Sequence, residues 1–200
     1  YTYRERVCLI QISIPEMNYL VDPLALDDLD PLAPFFHSQE VEKVFHAADY
    51  DLMVLQRDFG FFTRAIYDTM WAARVLGWPK VGLADILASF FDVQANKRYQ
   101  RYDWGKRPLH PDALTYAWMD SYYLLPLREV QKAELEATGR WEEAQEIFDY
   151  LTSTVDVPPE DSTARHFWRL KGVHAMSTHE QRRLYGLFMW REHMAESLDH

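Results

Sequence analysis

The sequence predicts a mixed α/β fold followed by a C-terminal helical extension, and three observations carry that reading. Val7–Ile14 (VCLIQISI) is a β-branched apolar run that Pro15 stops. Val41–Phe45 (VEKVF) is a second short apolar run, followed directly by a helical pattern. From Pro111 onward, apolar residues recur at helical spacing, with stops at Gly139 and Gly172.

In chain order, a turn at Glu16–Asn18 leads from the first strand into Tyr19–Val21, so a hairpin is expected before Asp22-Pro23. Leu24–Phe36 spaces Leu26, Leu29, Leu32, Ala33 and Phe36 for a helix that Pro31 and Pro34 shorten. After the Val41–Phe45 strand, Asp49 suits an N-cap for a helix carrying Leu52, Val54 and Leu55, which Gly60 closes. Asp51 then falls in the first helical turn past a strand's C-terminal end, the rim where α/β sheets usually bind ligands. Ile66–Thr69 is expected to open a further helix through Trp71, Ala72 and Val75, and Leu83–Phe91 another. Pro111 suits a first helical position, and the helix it opens is expected to run on through Arg128–Ala137. Trp141–Leu151 is helical by pattern, and Val155–Asp161, with paired prolines and acids, reads as a linker. Beyond it a short helix over Thr163–Lys171 is expected. Ser177-Thr178-His179-Glu180 has capping-box spacing ahead of a long helix bearing Leu184, Leu187, Phe188 and Trp190.

The 200 residues are 48% hydrophobic and 15% aromatic, enough for one substantial core plus an appendage. The 31 acids against 21 Lys and Arg give −10, which argues against a generic nucleic-acid coat protein. That balance leaves room for an enzyme handling polyanions through bound cations. Cys8 is the single cysteine and sits in an apolar run, so no intrachain disulfide can form; a small buried hydrophobe in a reducing, cytoplasmic setting is expected. No apolar run approaches the roughly 20 residues that span a bilayer, and Tyr1–Arg6 is charged, so a soluble protein without a membrane role is expected. With no initiating Met and a strand pattern close to Tyr1, the chain reads as part of something longer.

The chemistry-bearing residues are few. The eight histidines follow no metal-binding spacing, there is no Gly-x-Ser-x-Gly or Gly-rich phosphate loop, and Cys8 lies within a strand pattern. Carboxylates remain. Tyr116 and Asp120 fall on one face of the Pro111 helix, about 6 Å apart along its axis, so a phenol and a carboxylate can address one small target such as a metal ion with its water. Alternatively, Asp120 is a solvated acid and Tyr116 a core edge. Acids gathered at a strand edge repel without cations, and oxygen-only sites suit Mg²⁺ or Mn²⁺. His46 faces the same rim as Asp51, as a ligand contact or as an ordinary structural hydrogen bond. Asn96–Leu109 is the one locally basic segment, with Tyr99, Tyr102 and Trp104 interleaved among Lys97, Arg98, Arg101, Lys106 and Arg107; it suits phosphates and stacked bases, or equally a solvated loop pinned by Trp104.

Four segments together resemble ribonuclease D, the 3′-5′ exonuclease family with four acids and a tyrosine. They are His46-Ala47-Ala48-Asp49-Tyr50-Asp51-Leu52, Tyr67-Asp68-Thr69, Lys97–Trp104 with Arg107-Pro108-Leu109, and Tyr116-Ala117-Trp118-Met119-Asp120 with Tyr123–Pro126. Arg6–Ile12 and Leu20–Pro23 are similar to its second and third strands. The likeness covers Tyr3 to about Gly139.

The resemblance implies a ribonuclease H-like mixed sheet flanked by helices, with residues 1–139 as the exonuclease domain and 140–161 as a helix and linker. Residues 162–200 would then be the start of an HRDC-like helical accessory domain. It implies that Asp51 and Asp120 hold two ions, Mg²⁺ or Mn²⁺, that Tyr116 orients the attacking water, and that nucleoside 5′-monophosphates are released from RNA 3′ ends, precursor tRNA among the substrates and DNA not excluded. His46, Tyr99, Gln100, Arg101, Trp104 and Arg107 are the nucleic-acid-binding candidates. The family's first motif, Asp-x-Glu on the first central strand, is expected just before Tyr1, so the 200 residues alone are expected to lack that strand and to be inactive. A catalytically dead nucleic-acid-binding scaffold of the same fold, and a metal-free hydrolase using Asp51 and Asp120, are the alternatives.

Overall fold

A computed structural model describes residues 5–94, 97–157 and 163–198. The chain divides into two compact units, Val7–Asp156 and a second that holds Val157–His200 together with Tyr1–Arg6.

The larger unit begins with the expected hairpin. Strand β1 (Ile10–Ile14) pairs antiparallel with β2 (Met17–Val21) in the register Ile10 to Val21 through Ile14 to Met17. Cys8 precedes the strand and is half-buried rather than enclosed. Of the long helix expected over Leu24–Phe36, only α1 (Ala33–His37) forms, after a 3-10 turn at Asp30–Leu32. Each piece carries a proline near its start, where the missing N–H costs nothing, so each proline begins a new element instead of continuing the last. Strand β3 (Lys43–Phe45) leads into α2 (Asp49–Phe59), which Gly60 ends at φ +67°.

Two expectations fail at the next corner, for one reason. Ile66–Asp68, expected to open a helix, is a fully buried strand, β4, paired parallel with β3 so that Phe45 stands beside Asp68. Three residues are too few for periodicity to separate strand from helix, and pairing decides. Asp49, expected to cap α2, is instead its first residue, and the carboxylate serving that end comes from Asp68 at the end of β4.

Helices α3 (Thr69–Val75), α4 (Leu83–Phe91), α5 (Pro111–Tyr122), α6 (Leu124–Ala137) and α7 (Trp141–Ser153) complete the unit. The Pro111 helix breaks at Tyr123 because Pro126, three residues into α6, has no N–H for the Tyr122 carbonyl and its ring crowds that oxygen. The unit runs past residue 139: Ala144, Phe148 and Leu151 of α7 join Ala48, Leu52, Tyr67 and Leu135 in one core, the Tyr67 and Phe148 rings 4.8 Å apart. A second core gathers Ile10, Leu29, Phe36, Leu55 and Phe61.

The described strands form two separate pairs, β1–β2 and β3–β4, rather than one continuous sheet. Successive residues of β1 and of β3 line the same cavity. Side chains alternate faces along a strand, so consecutive lining residues mean that strand edges border the space.

The smaller unit packs α8 (Thr163–Trp168) and α9 (Thr178–Leu198) around Phe167, Val173 and Phe188. The capping box forms as expected: Ser177 N–H donates to Glu180 Oε2 at 2.8 Å, and Glu180 N–H donates to Ser177 Oγ at 3.4 Å. Part of the expected linker, 158–161, lies outside the described residues. No described helix is long and apolar enough to cross a membrane.

Candidate active site

The site is built on the corner where β3 turns into α2. Ala47 sits at φ +62°, a conformation a non-glycine residue adopts only when its surroundings compel it. Asp68 supplies the compulsion. Its fully buried carboxylate accepts four backbone N–H bonds, from Ala47 at 3.2 Å, Ala48 at 2.7 Å, Met70 at 2.8 Å and Trp71 at 3.1 Å. One side chain therefore caps α3 and locks the start of α2. Thr69 completes the corner: its Oγ donates to the Phe45 carbonyl at 2.9 Å and meets His46 Nδ1 at 2.9 Å.

The first turn of α2 carries Asp51. Asp51 is exposed to solvent, and its carboxylate lines a cavity whose walls crowd it. Burial, and secondarily the Asp68 charge, push its carboxyl up to about 6. Helix α5 supplies the facing wall. It packs across the hairpin, with Ser121 Oγ 2.8 Å from Ser13 Oγ. One turn apart on this helix, the Tyr116 hydroxyl is hydrogen-bonded to the Asp120 carboxylate. Burial pushes Asp120 up to about 6, against the lowering effect of that bond, and pushes the Tyr116 phenol up to about 12 with help from the Asp120 charge.

A cavity of about 650 Å³ between β1 and β3 brings together His46, Asp51, Gln100, Tyr116 and Asp120. The other sequence-derived candidates stand elsewhere. Tyr99 is buried behind the site, its ring 6.0 Å from that of Tyr116 and its hydroxyl 3.4 Å from Asp112. Trp104 lies 6.3 Å from Tyr116 on the same side and 5.2 Å from Tyr102, so these rings back the phenol rather than line the cavity. Arg107 grips Asp22 with Nε at 2.7 Å and Nη2 at 2.6 Å, and donates to the Cys8 and Trp104 carbonyls. That makes it a pin between the basic loop and the hairpin. Arg101 is exposed.

Asp68 and Thr69 are the functional residues that the residue-by-residue reading left out of the site. An acid and a hydroxyl at a strand-to-helix junction was the available signal, hidden because the strand itself was read as helix.

No Lys or Arg offsets the charge of Asp51 or Asp120, and neither makes an ion pair among the described residues. Two crowded, uncompensated carboxylates are hard oxygen donors suited in kind to Mg²⁺ or Mn²⁺. Among the described residues, no three His, Cys, Asp or Glu gather to hold an ion. Asp51 and Asp120 thus supply a partial set of ligands.

A family model described as 3′-5′ exonuclease matches residues 1–136. Ribonuclease D of Haemophilus influenzae is 31% identical over 200 residues, covering 99% of this chain and 50% of its own length. Exosome complex exonuclease RRP6 of Saccharomyces cerevisiae is 38% identical over 135 residues, 67% of this chain and 18% of its own. The chain thus spans half or less of these curated relatives. Among solved structures, the catalytic core of RRP6 from Trypanosoma brucei superposes with a TM-score of 0.81 at 28% identity, covering 100% of this chain and 56% of that one. NrnC of Brucella melitensis with bound Mg²⁺ superposes with a TM-score of 0.67 at 26% identity, covering 74% of each.

Proposed function

Because the chain belongs to the 3′-5′ exonuclease family, as the match over residues 1–136 shows, we propose that the full-length protein hydrolyses the 3′-terminal phosphodiester of RNA and releases nucleoside 5′-monophosphates, the 200 residues alone being inactive. The observation that carries this reading is the meeting of Asp51, Tyr116 and Asp120 at one cavity. The likeness to ribonuclease D of Haemophilus influenzae supports an RNA substrate, with precursor tRNA a candidate and DNA a second class to test.

Asp51 and Asp120 would hold the divalent ions. Bound Mg²⁺ or Mn²⁺ supplies a water of lowered pKa and neutralises charge on the phosphate. Tyr116 acts through its lone pairs. Its single hydroxyl proton goes to the Asp120 carboxylate, so toward the cavity it accepts from a water and leaves that water's own lone pair free for phosphorus. With a pKa of about 12 the phenol keeps its proton at neutral pH, and orients water without abstracting its proton. The single cysteine is consistent with a reducing, cytoplasmic setting.

The test is a 3′-labelled single-stranded oligoribonucleotide incubated with Mn²⁺ and the full-length protein, with the 200 residues alone, expected to be inactive, as the comparison. Release of labelled 5′-monophosphate, stopped by a chelator and lost in Asp120→Asn, is the expected result. Binding without cleavage would leave a nucleic-acid-binding scaffold, and cleavage that survives chelation would favour a metal-free hydrolase.

A further inference from the structure

His46 lines the cavity and is held by one hydrogen bond, between its Nδ1 and Thr69 Oγ at 2.9 Å. The direction of that bond follows from the rest of the corner. A hydroxyl has one proton, and Thr69 gives its proton to the Phe45 carbonyl at 2.9 Å, which can only accept. Thr69 Oγ must therefore accept from His46, and Nδ1 carries the hydrogen. Burial lowers the pKa of the ring against the opposing pull of Asp68, which favours the neutral form. In the neutral ring with Nδ1 protonated, Nε2 is a bare lone pair, and it has no protein partner among the described residues. The cavity that holds the Asp51 and Asp120 carboxylates thus presents a further acceptor.

Phosphate oxygens are acceptors too, so this nitrogen cannot serve the backbone phosphate. Every 3′-terminal nucleotide carries donors on its sugar, whatever its base. We propose that His46 Nε2 accepts a hydrogen bond from a sugar hydroxyl of the 3′-terminal nucleotide, and so sets which sugar the site prefers. This rests on the reading that the cavity takes a polynucleotide 3′ end.

Three oligoribonucleotides of one sequence, assayed with the full-length protein, test it, ending in a ribonucleotide, a 2′-deoxynucleotide or a 3′-deoxynucleotide. Affinity is measured by fluorescence anisotropy with Ca²⁺, and kcat/KM with Mn²⁺. The wild-type protein is expected to discriminate against one of the two deoxy termini by about tenfold, the worth of one neutral hydrogen bond, and which one identifies the hydroxyl. In His46→Asn the amide keeps the donor toward Thr69 but lacks an acceptor where Nε2 was, and the discrimination is expected to fall to about one. His46→Gln returns an acceptor there and is expected to restore part of it. Discrimination unchanged in both variants, or no discrimination between the three termini in the wild-type protein, overturns the proposal while leaving the exonuclease reading intact. Failure of the wild-type protein to bind or cleave any of the three overturns both.

Discussion

Asp68 Oδ2 accepts the Ala48 N–H at 2.7 Å across 20 residues of chain, and this bond ties the end of one strand to the start of the helix that carries Asp51. With its three companions it makes Asp68 the clamp of the site. Asp68→Ala leaves four buried or half-buried N–H groups without acceptors and is expected to destabilise the larger unit by roughly 2–4 kcal/mol in urea unfolding. A loss under about 0.5 kcal/mol, the range of ordinary surface changes, would show that the corner holds without it.

Tyr116→Phe removes one oxygen and leaves the ring between Tyr99 and Trp104. Folding is expected to change little, whereas single-turnover cleavage is expected to slow by about 100-fold, the scale of a lost proton-orienting contact. Losing this hydrogen bond also raises the Asp120 carboxyl further, since the bond lowers it in the wild type. Unchanged turnover in Tyr116→Phe would remove the phenol from the reaction.

The acidity of the site gives a signed prediction. Asp51 and Asp120 each have a folded pKa of about 6, above the ordinary aspartate value of 3.8. Between those values the folded chain binds more protons than the unfolded one, so stability falls as pH rises from about 4 through 6. Melting temperatures of the chelator-treated protein are expected to drop across that window, less steeply in Asp120→Asn. Protons and cations compete for the same oxygens, so Mn²⁺ affinity is expected to rise over the same range. A melting temperature that climbs from pH 4 to 6 in wild type and variant alike would contradict the raised carboxyls.

Arg107 separates structure from binding. Its two-pronged grip on Asp22 needs the planar fork of arginine, so Arg107→Lys is expected to lose roughly 1–2 kcal/mol of stability, and Asp22→Asn a similar amount. RNA affinity of the folded variants is expected to stay within about twofold. A large affinity loss at wild-type stability would return Arg107 to the nucleic-acid surface.

Much of the larger unit was legible where one local rule decided the outcome. The hairpin, α2, α4 and α7 follow from β-branched runs, helical spacing and Gly60, and Tyr116 with Asp120 follows from helical geometry alone. What stayed hidden was set across the chain. Ile66–Asp68 is a strand because Lys43–Phe45 lies beside it, and the acid serving α2 sits 20 residues away. The basic segment was legible as composition, but whether Trp104 faces ligand or core depends on Tyr116, which comes 12 positions later. No local pattern carries that information.

The central claim is that Asp51 and Asp120, 69 positions apart, act on one set of ions. A double-mutant cycle in Mn²⁺ affinity, measured by titration calorimetry on wild type, Asp51→Asn, Asp120→Asn and the double variant, tests it most directly. The two losses are expected to be strongly non-additive, the double variant binding scarcely worse than either single one. Losses that simply add would mean that the two aspartates serve separate places, and would contradict the claim.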